Sequence, residues 1–153
     1  TWSDANGPGA AAVLVVTDDR DLRAAIHRRG GRSAGTRWLI GRLDHGSADE
    51  LERALRPLIE ASDGAVAGLV LDFGRVDYVS SVGLRVLMIA AKEMRRRGAR
   101  IVVVGLQPVV AEIFAISRFH SVLDVFDSLP AALPAISAAA AAAYGSPAVS
   151  PST

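Results

Sequence analysis

The chain has no cysteine among its 153 residues, which excludes a disulfide framework, a thiol nucleophile and a cysteine-ligated zinc. A thiol-free chain suits a reducing compartment, so a cytoplasmic location is expected. Long apolar runs are also missing. The two longest, Ala10–Val16 and the proline- and serine-broken Ala131–Tyr144, fall short of the ~20 residues a membrane-spanning helix needs. The start does not read as a signal peptide, because Asp4 and two glycines stand where a basic region belongs and Asp18-Asp19 follow the short apolar run. Thr1 in place of Met points to a processed chain or an excised domain.

An excess of either charge is absent too. Lys and Arg number 17 against 16 Asp and Glu, and the basic residues are scattered apart from Arg95-Arg96-Arg97, so nucleic acid has no electrostatic footprint to bind. The arginine triplet ends a helical pattern, where cations complement the helix dipole. Asp49-Glu50 fall in a helical first turn, where acids do the same. His27, His45 and His120 show no ligand spacing, and neither a P-loop nor a G-x-G-x-x-G loop occurs. Catalytic machinery is not visible, and neither a metal nor a cofactor is expected.

What is present is a foldable composition, 50% apolar and 22% charged, in a length that suits one domain. Thr1–Gly9 read as a flexible leader, residues 10–134 as the domain, and residues 135–153 as an Ala-rich, then Ser/Pro-rich tail that can prolong a terminal helix. In residues 10–35, Ala12–Val16 reads as a strand, while Leu22–His27 fits either a second strand or a short helix starting near Asp18. Trp38-Leu39-Ile40 is a short strand ending at Gly41-Arg42-Leu43-Asp44. Ser47 and Glu50 then have the spacing of a capping box. Leu51, Ala54, Leu55, Leu58 and Ile59 follow at helical spacing, with Pro57 expected to bend the helix.

Gly68-Leu69-Val70-Leu71 reads as a central strand ended by Asp72, Val82–Arg97 as a helix stopped by Gly98, and Arg100–Val104 as another buried strand. Pro108 suits the first turn of a further helix with Val110, Ile113 and Phe114 inward. Val122–Phe126 gives a last strand, and Ser128 with Pro130 opens a terminal helix that Pro134 interrupts. Strand and helix alternate, so the fold class is α/β, with parallel pairing wherever a helix crosses between strands.

One segment stands apart: Leu71-Asp72-Phe73-Gly74-Arg75-Val76-Asp77-Tyr78-Val79-Ser80-Ser81-Val82-Gly83-Leu84. A buried strand ends, a short loop follows, and two serines stand before a helix. Either serine can serve simply as an N-cap. A phosphate at the same place would meet unsatisfied N–H groups and a favourable dipole while adding nearly two negative charges.

The segment resembles the phosphorylation loop of the STAS domains of bacterial anti-sigma factor antagonists, in which a strand ends in Asp and, a few residues on, Asp-Ser-(Ser or Thr)-Gly-Leu opens a helix. Ser80-Ser81-Val82-Gly83-Leu84 occupies those positions, so Ser81 falls on the phosphoacceptor, with Ser80 the second candidate. Ser80 replaces the Asp, and Val82 replaces the Ser or Thr. Gly41-Arg42-Leu43-Asp44 is similar to the family's Gly-x-Leu-Asp, and Gly98–Ile101 leading through Gly105–Val110 extends the resemblance, which spans residues 38–132. It implies a mixed four- to five-stranded sheet with about four helices mainly on one face, a strand pair within residues 10–35, and no bound cofactor. It also implies an anti-sigma factor antagonist, itself not an enzyme, that switches between partners. Unphosphorylated, it captures an anti-sigma factor with serine kinase activity and so frees a sigma factor; phosphorylation ends the capture and a serine phosphatase restores it. The docking face implied comprises Asp44, His45, Ser47, Asp72, Val82, Gly83 and Leu84. Two other readings stay open. One is a STAS interaction module without covalent switching, in a signalling assembly or a transporter-associated complex. The other is a nucleotide or small-ligand sensor at the loop ends near Asp44 and Ser81.

Overall fold

The computed structural model describes residues 12–17, 19–28, 32–34, 41–60, 66–137 and 141. The leader Thr1–Gly9, the strand expected at Trp38–Ile40 and most of the tail lie outside them. Three strands carry β-branched, near-continuous apolar sequence and form the middle of a parallel sheet. They are β1 (Ala12–Val16), β4 (Val66–Asp72) and β6 (Arg100–Val104). Side-chain alternation sends Val15, Val70, Val102 and Val104 to one face and Val16, Leu69, Leu71 and Val103 to the other, and both faces are buried. The short strands β2 (Arg32–Ala34) and β7 (Asp124–Phe126) close the edges in the order β2-β1-β4-β6-β7.

Every strand pairing described is parallel, which corrects the expected mixed sheet to a parallel one. The cause lies in the connections, because each passage between neighbouring strands of this sheet carries a helix that returns the chain to the same end. Five α-helices occur among the described residues: α1 (Arg20–Arg28), α2 (His45–Glu60), α3 (Ser81–Arg96), α4 (Pro108–Ile116) and α5 (Leu129–Ile136). They are not mainly on one face. α2, α3 and α4 cover the Leu69/Leu71 side, while Ile26 of α1 and Leu129, Ala132 and Leu133 of α5 cover the Val70/Val102 side. Strand order reverses direction between β1 and β4. Right-handed crossovers running outward in opposite directions place their helices on opposite faces.

The open choice in residues 10–35 resolves as strand, helix and short strand: β1 and β2 pair in parallel, and the segment between them is a helix, not the second strand. Leu22–His27 lie in α1. The Asp19 carboxylate fixes its start by accepting from the N–H groups of Asp21 (2.9 Å) and Leu22 (3.1 Å), and Leu22 and Ile26 then fall one turn apart on the covered face. α2 and α5 run through Pro57 and Pro134 respectively. Pro134 therefore does not interrupt the terminal helix, which Ser128 caps by accepting from the Ala131 N–H. Gly98 (φ +76°) stops α3 in a left-handed turn in which the Ala99 N–H reaches back to the Met94 carbonyl (2.9 Å).

At the C-terminal end of the central strands, the fully buried Thr17 is the polar anchor. Its hydroxyl donates to the Asp72 carboxylate (2.6 Å) and accepts from the Asp19 N–H (3.0 Å), tying β1 to β4 and to the start of α1. Replacing Thr17 with Val keeps its shape and strands both partners. Thr17→Val is predicted to destabilise the chain by about 1–3 kcal/mol, read as a lower urea midpoint with unchanged slope, whereas Thr17→Ser stays within about 1 kcal/mol of the parent.

Candidate functional site

Asp72 is followed not by a plain loop but by a further strand. After the turn in which the Val76 N–H donates to the Phe73 carbonyl (3.0 Å), Val76–Val79 form β5, which pairs in parallel with β3 (Gly41–Leu43) in a separate two-stranded sheet. The β-branched and aromatic run Val76-Asp77-Tyr78-Val79, with its two ends buried and Asp77 exposed, was the signal for this strand. The register sets Arg42 opposite Tyr78 and Leu43 opposite Val79. Leu43 and Val79 enter the core, while the Arg42 guanidinium lies 4.2 Å from the Tyr78 ring centre and 3.9 Å from the Asp44 carboxylate.

Both helices that flank this small sheet begin at its C-terminal end. Asp44 precedes α2, and its carbonyl accepts from the Ala48 N–H (2.8 Å). The Ser47 hydroxyl accepts from the Asp44 N–H (2.9 Å) and donates to the Arg42 carbonyl (2.6 Å). Ser47 thus sits inside the first turn and reaches back, with Asp44 outside it, so the cap expected at Ser47 and Glu50 is set three residues earlier, with the Ser47 hydroxyl also donating to the Asp44 carboxylate (3.3 Å). The helix starts where the apolar periodicity allows Ala48 and Leu51 both to be buried.

Ser80 follows β5 with extended backbone (φ −81°, ψ 170°) and is the N-cap of α3, its hydroxyl accepting from the Gly83 N–H (3.2 Å). Its own N–H donates to the Leu43 carbonyl (2.9 Å), which sets the start of α3 one residue from Asp44. Ser81 is the first residue of the helix and is exposed, whereas Ser80 is half-buried. Val82 and Leu84 are half-buried against the core, and Gly83 is buried. A Cβ on Gly83 would lie 2.9 Å from the Leu43 carbonyl oxygen and 3.1 Å from a Val79 methyl, so only glycine lets the first turn seat against the end of β3.

The structure therefore gathers Asp44, His45, Ser47, Ser80, Ser81, Val82, Gly83 and Leu84 around one sheet end. Asp72 is apart from them. It closes β4 in the large sheet, where its carboxylate accepts from Thr17 and from the Gly74 N–H (2.9 Å). Arg42 and Tyr78 belong to the site and were not singled out by the sequence. Gly31-Arg32-Ser33-Ala34-Gly35 spells the G-x-S-x-G pattern of a nucleophile elbow, against the expectation that the sequence contains none. Its Arg32–Ala34 form edge strand β2, with Ser33 opposite Val15, and not the strand-to-helix turn that chemistry requires. Among the described residues, no group of three His, Asp or Glu is placed to hold a metal ion, and no helix is long and apolar enough to cross a membrane. A groove of about 170 Å³ lies between α2 and α3, walled by Leu55, Ile59, Val86 and Ala90, and the Asp44 and Ser81 region takes no part in it.

The model of the STAS domain matches residues 38–132. The chain belongs to the STAS domain family. In this STAS domain the match begins just before β3, so β1, α1 and β2 precede it. Among relatives, the Bordetella bronchiseptica protein BtrV, named as a candidate anti-sigma factor antagonist, is 39% identical over 101 residues, covering 66% of this chain and 84% of BtrV. Solved structures share the fold. An anti-sigma factor antagonist from Mycobacterium paratuberculosis superposes with a TM-score of 0.56 at 24% identity, over 63% of this chain and 80% of that one. The STAS domain of a SulP transporter from Vibrio cholerae gives 0.53 at 18%, over 76% and 94%.

Three substitutions separate the roles at the start of α3 in this STAS domain. Ser80→Ala removes the cap and is expected to cost about 1 kcal/mol, while Ser81→Ala, at an exposed position, stays within about 0.5 kcal/mol. Helix propensity alone would make Gly83→Ala stabilising by about 1 kcal/mol. The contact with the Leu43 carbonyl reverses the sign, and a loss of about 1–3 kcal/mol is predicted. Denaturant unfolding of the three variants checks the order.

Proposed function

We propose that this STAS domain is an anti-sigma factor antagonist that captures an anti-sigma factor and is released by phosphorylation of Ser81. The observation that carries the reading is the division of labour between the two serines. The Ser80 hydroxyl is engaged as the cap, so the exposed Ser81 hydroxyl is the one offered to a kinase. The name of BtrV supplies the functional class. The family's Asp stands at what is here the N-cap, and Ser80 fills that role with a neutral side chain.

In this scheme the kinase chemistry belongs to the partner. A γ-phosphoryl group passes from ATP to the Ser81 Oγ, its proton leaves to a base of the kinase, and ADP departs. A phosphatase returns the hydroxyl by hydrolysis. The new group adds about −1.5 to −2 charge at physiological pH beside the Asp44 carboxylate and the start of α3. A docking face formed by Asp44, His45, Ser47, Val82 and Leu84 around Ser81 is thereby changed in charge while the core is left as it is. Gly83, being buried, contributes by seating the helix, and Asp72 contributes by holding β4 to β1.

Purified ATP-binding anti-sigma factors from the source cell, incubated with the chain and Mg-ATP, test the reading by peptide mapping. Phosphate is expected on Ser81 in the parent and in Ser80→Ala, and to be absent from Ser81→Ala. Phosphate on neither serine with any cognate kinase, or on Ser80 alone, overturns it.

The replacement of the family's Asp by Ser80 favours a second reading, a STAS interaction module in a signalling assembly or transporter-associated complex that works without covalent switching. Equal partner affinity for Ser81→Ala and Ser81→Asp is the outcome that reading requires.

A further inference from the structure

Arg85 stands one helical turn after Ser81 on α3, and both residues are exposed. Residues four apart on a helix are surface neighbours, with Cβ atoms about 5–6 Å apart, and an anion placed N-terminal to a cation is the more favourable order. The other arginines within α3 are engaged: Arg95 donates to the Val122 carbonyl and Arg96 pairs with Glu93. The Arg85 side chain has no hydrogen bond or ion pair among the described residues. On the neighbouring β3, Arg42 is held by Tyr78 and Asp44.

We propose that Arg85 is the internal ion partner of a phosphate on Ser81, so that modification withdraws a cation from the docking face at the same time as it adds an anion there. The inference rests on Ser81 as the acceptor. It explains what the neutral cap permits. The first turn of α3 has no acidic residue, and with Ser80 in place of a carboxylate no like charge on the helix itself competes for Arg85 or repels the phosphate. The titratable and charged groups on the elements packed against α3 near this turn are Asp44 and His45 at the start of α2, Asp49, Glu50, Glu52, Arg53 and Arg56 further along it, Arg42 on β3 and Asp77 on β5. Of the acids, Asp44 is paired with Arg42 and Glu52 with Arg56. Swinging Arg85 onto the phosphate changes the charge of the Ser81/Arg85 patch from +1 to about −1. A partner that docks an acidic group on Arg85 then loses its counter-charge and meets repulsion together.

Phosphoserine placed at position 81 by genetic encoding removes the need for any kinase, and phosphorus NMR titration reads its second pKa directly. The phosphate is expected to titrate below the ordinary value of ~6. Arg85→Gln should raise it by about 0.3 and Arg85→Lys should largely restore it, with the difference shrinking in 0.5 M salt. In the unsubstituted protein the Arg85 side-chain Nε–H resonance should move with the same pKa. Identical titration in the parent and Arg85→Gln, or an Arg85 resonance indifferent to the phosphate, overturns the proposal. The outcomes are separable: failure of every kinase to modify Ser81 removes the antagonist reading, whereas an Arg85-independent phosphate removes this one alone.

Discussion

The Leu43 carbonyl is the point on which the site depends. It accepts from the Ser80 N–H and stands where any Cβ on Gly83 would collide. One oxygen therefore fixes both the distance and the direction at which α3 leaves the small sheet. A hydrogen bond alone would allow the helix to pivot, and a close contact alone would allow it to slide; together they leave the first turn one position. Ser81 is exposed because the residues on either side of it are committed, Ser80 to the cap and Val82 to the core. The sequence Ser-Ser-Val-Gly-Leu thus divides into a cap, an offered hydroxyl, an apolar anchor, a contact glycine and a second anchor.

That turn needs a rigid base, which the large sheet provides. β4 delivers the chain to Asp72, the buried Thr17 holds that end to β1, and Gln107 donates to the Gly74 carbonyl (3.0 Å) across the turn before β5. Phe73 follows into the core against Phe114 (ring centres 6.2 Å apart). The residues just before the serines are therefore pinned on several sides, and a charge change at Ser81 has no loose segment to be absorbed in. Such a surface transmits a modification as altered electrostatics and not as a change of shape.

Much of this was legible in the sequence, and the parts that were not have physical reasons. The central strands and α3 announced themselves because a strand buried on both faces and a helix with a wide apolar surface leave strong composition signals. The serines were legible as a helix start for the same reason that Ser caps helices anywhere. The register of α2 was misread by three residues, since Asp44 and Ser47 are both good capping residues and only the tertiary contacts of Ala48 and Leu51 decide between them. Strand β5 was read as loop because four residues interrupted by Asp77 carry too little periodicity. The face on which each helix lies was hidden, because it follows from the order of strands in the sheet, which local sequence does not encode. Asp72 was grouped with the docking residues through the family resemblance, while it closes β4 in the large sheet and the intervening strand β5 carries the chain to a different one.

In the proposed switch, one exposed hydroxyl at the start of α3 controls capture of an anti-sigma factor. Titration calorimetry of the cognate anti-sigma factor against the unmodified chain and against the chain carrying phosphoserine at position 81 tests it most directly. A loss of at least about tenfold in affinity on phosphorylation, roughly 1.4 kcal/mol, is predicted, and equal affinities for the two forms would contradict it.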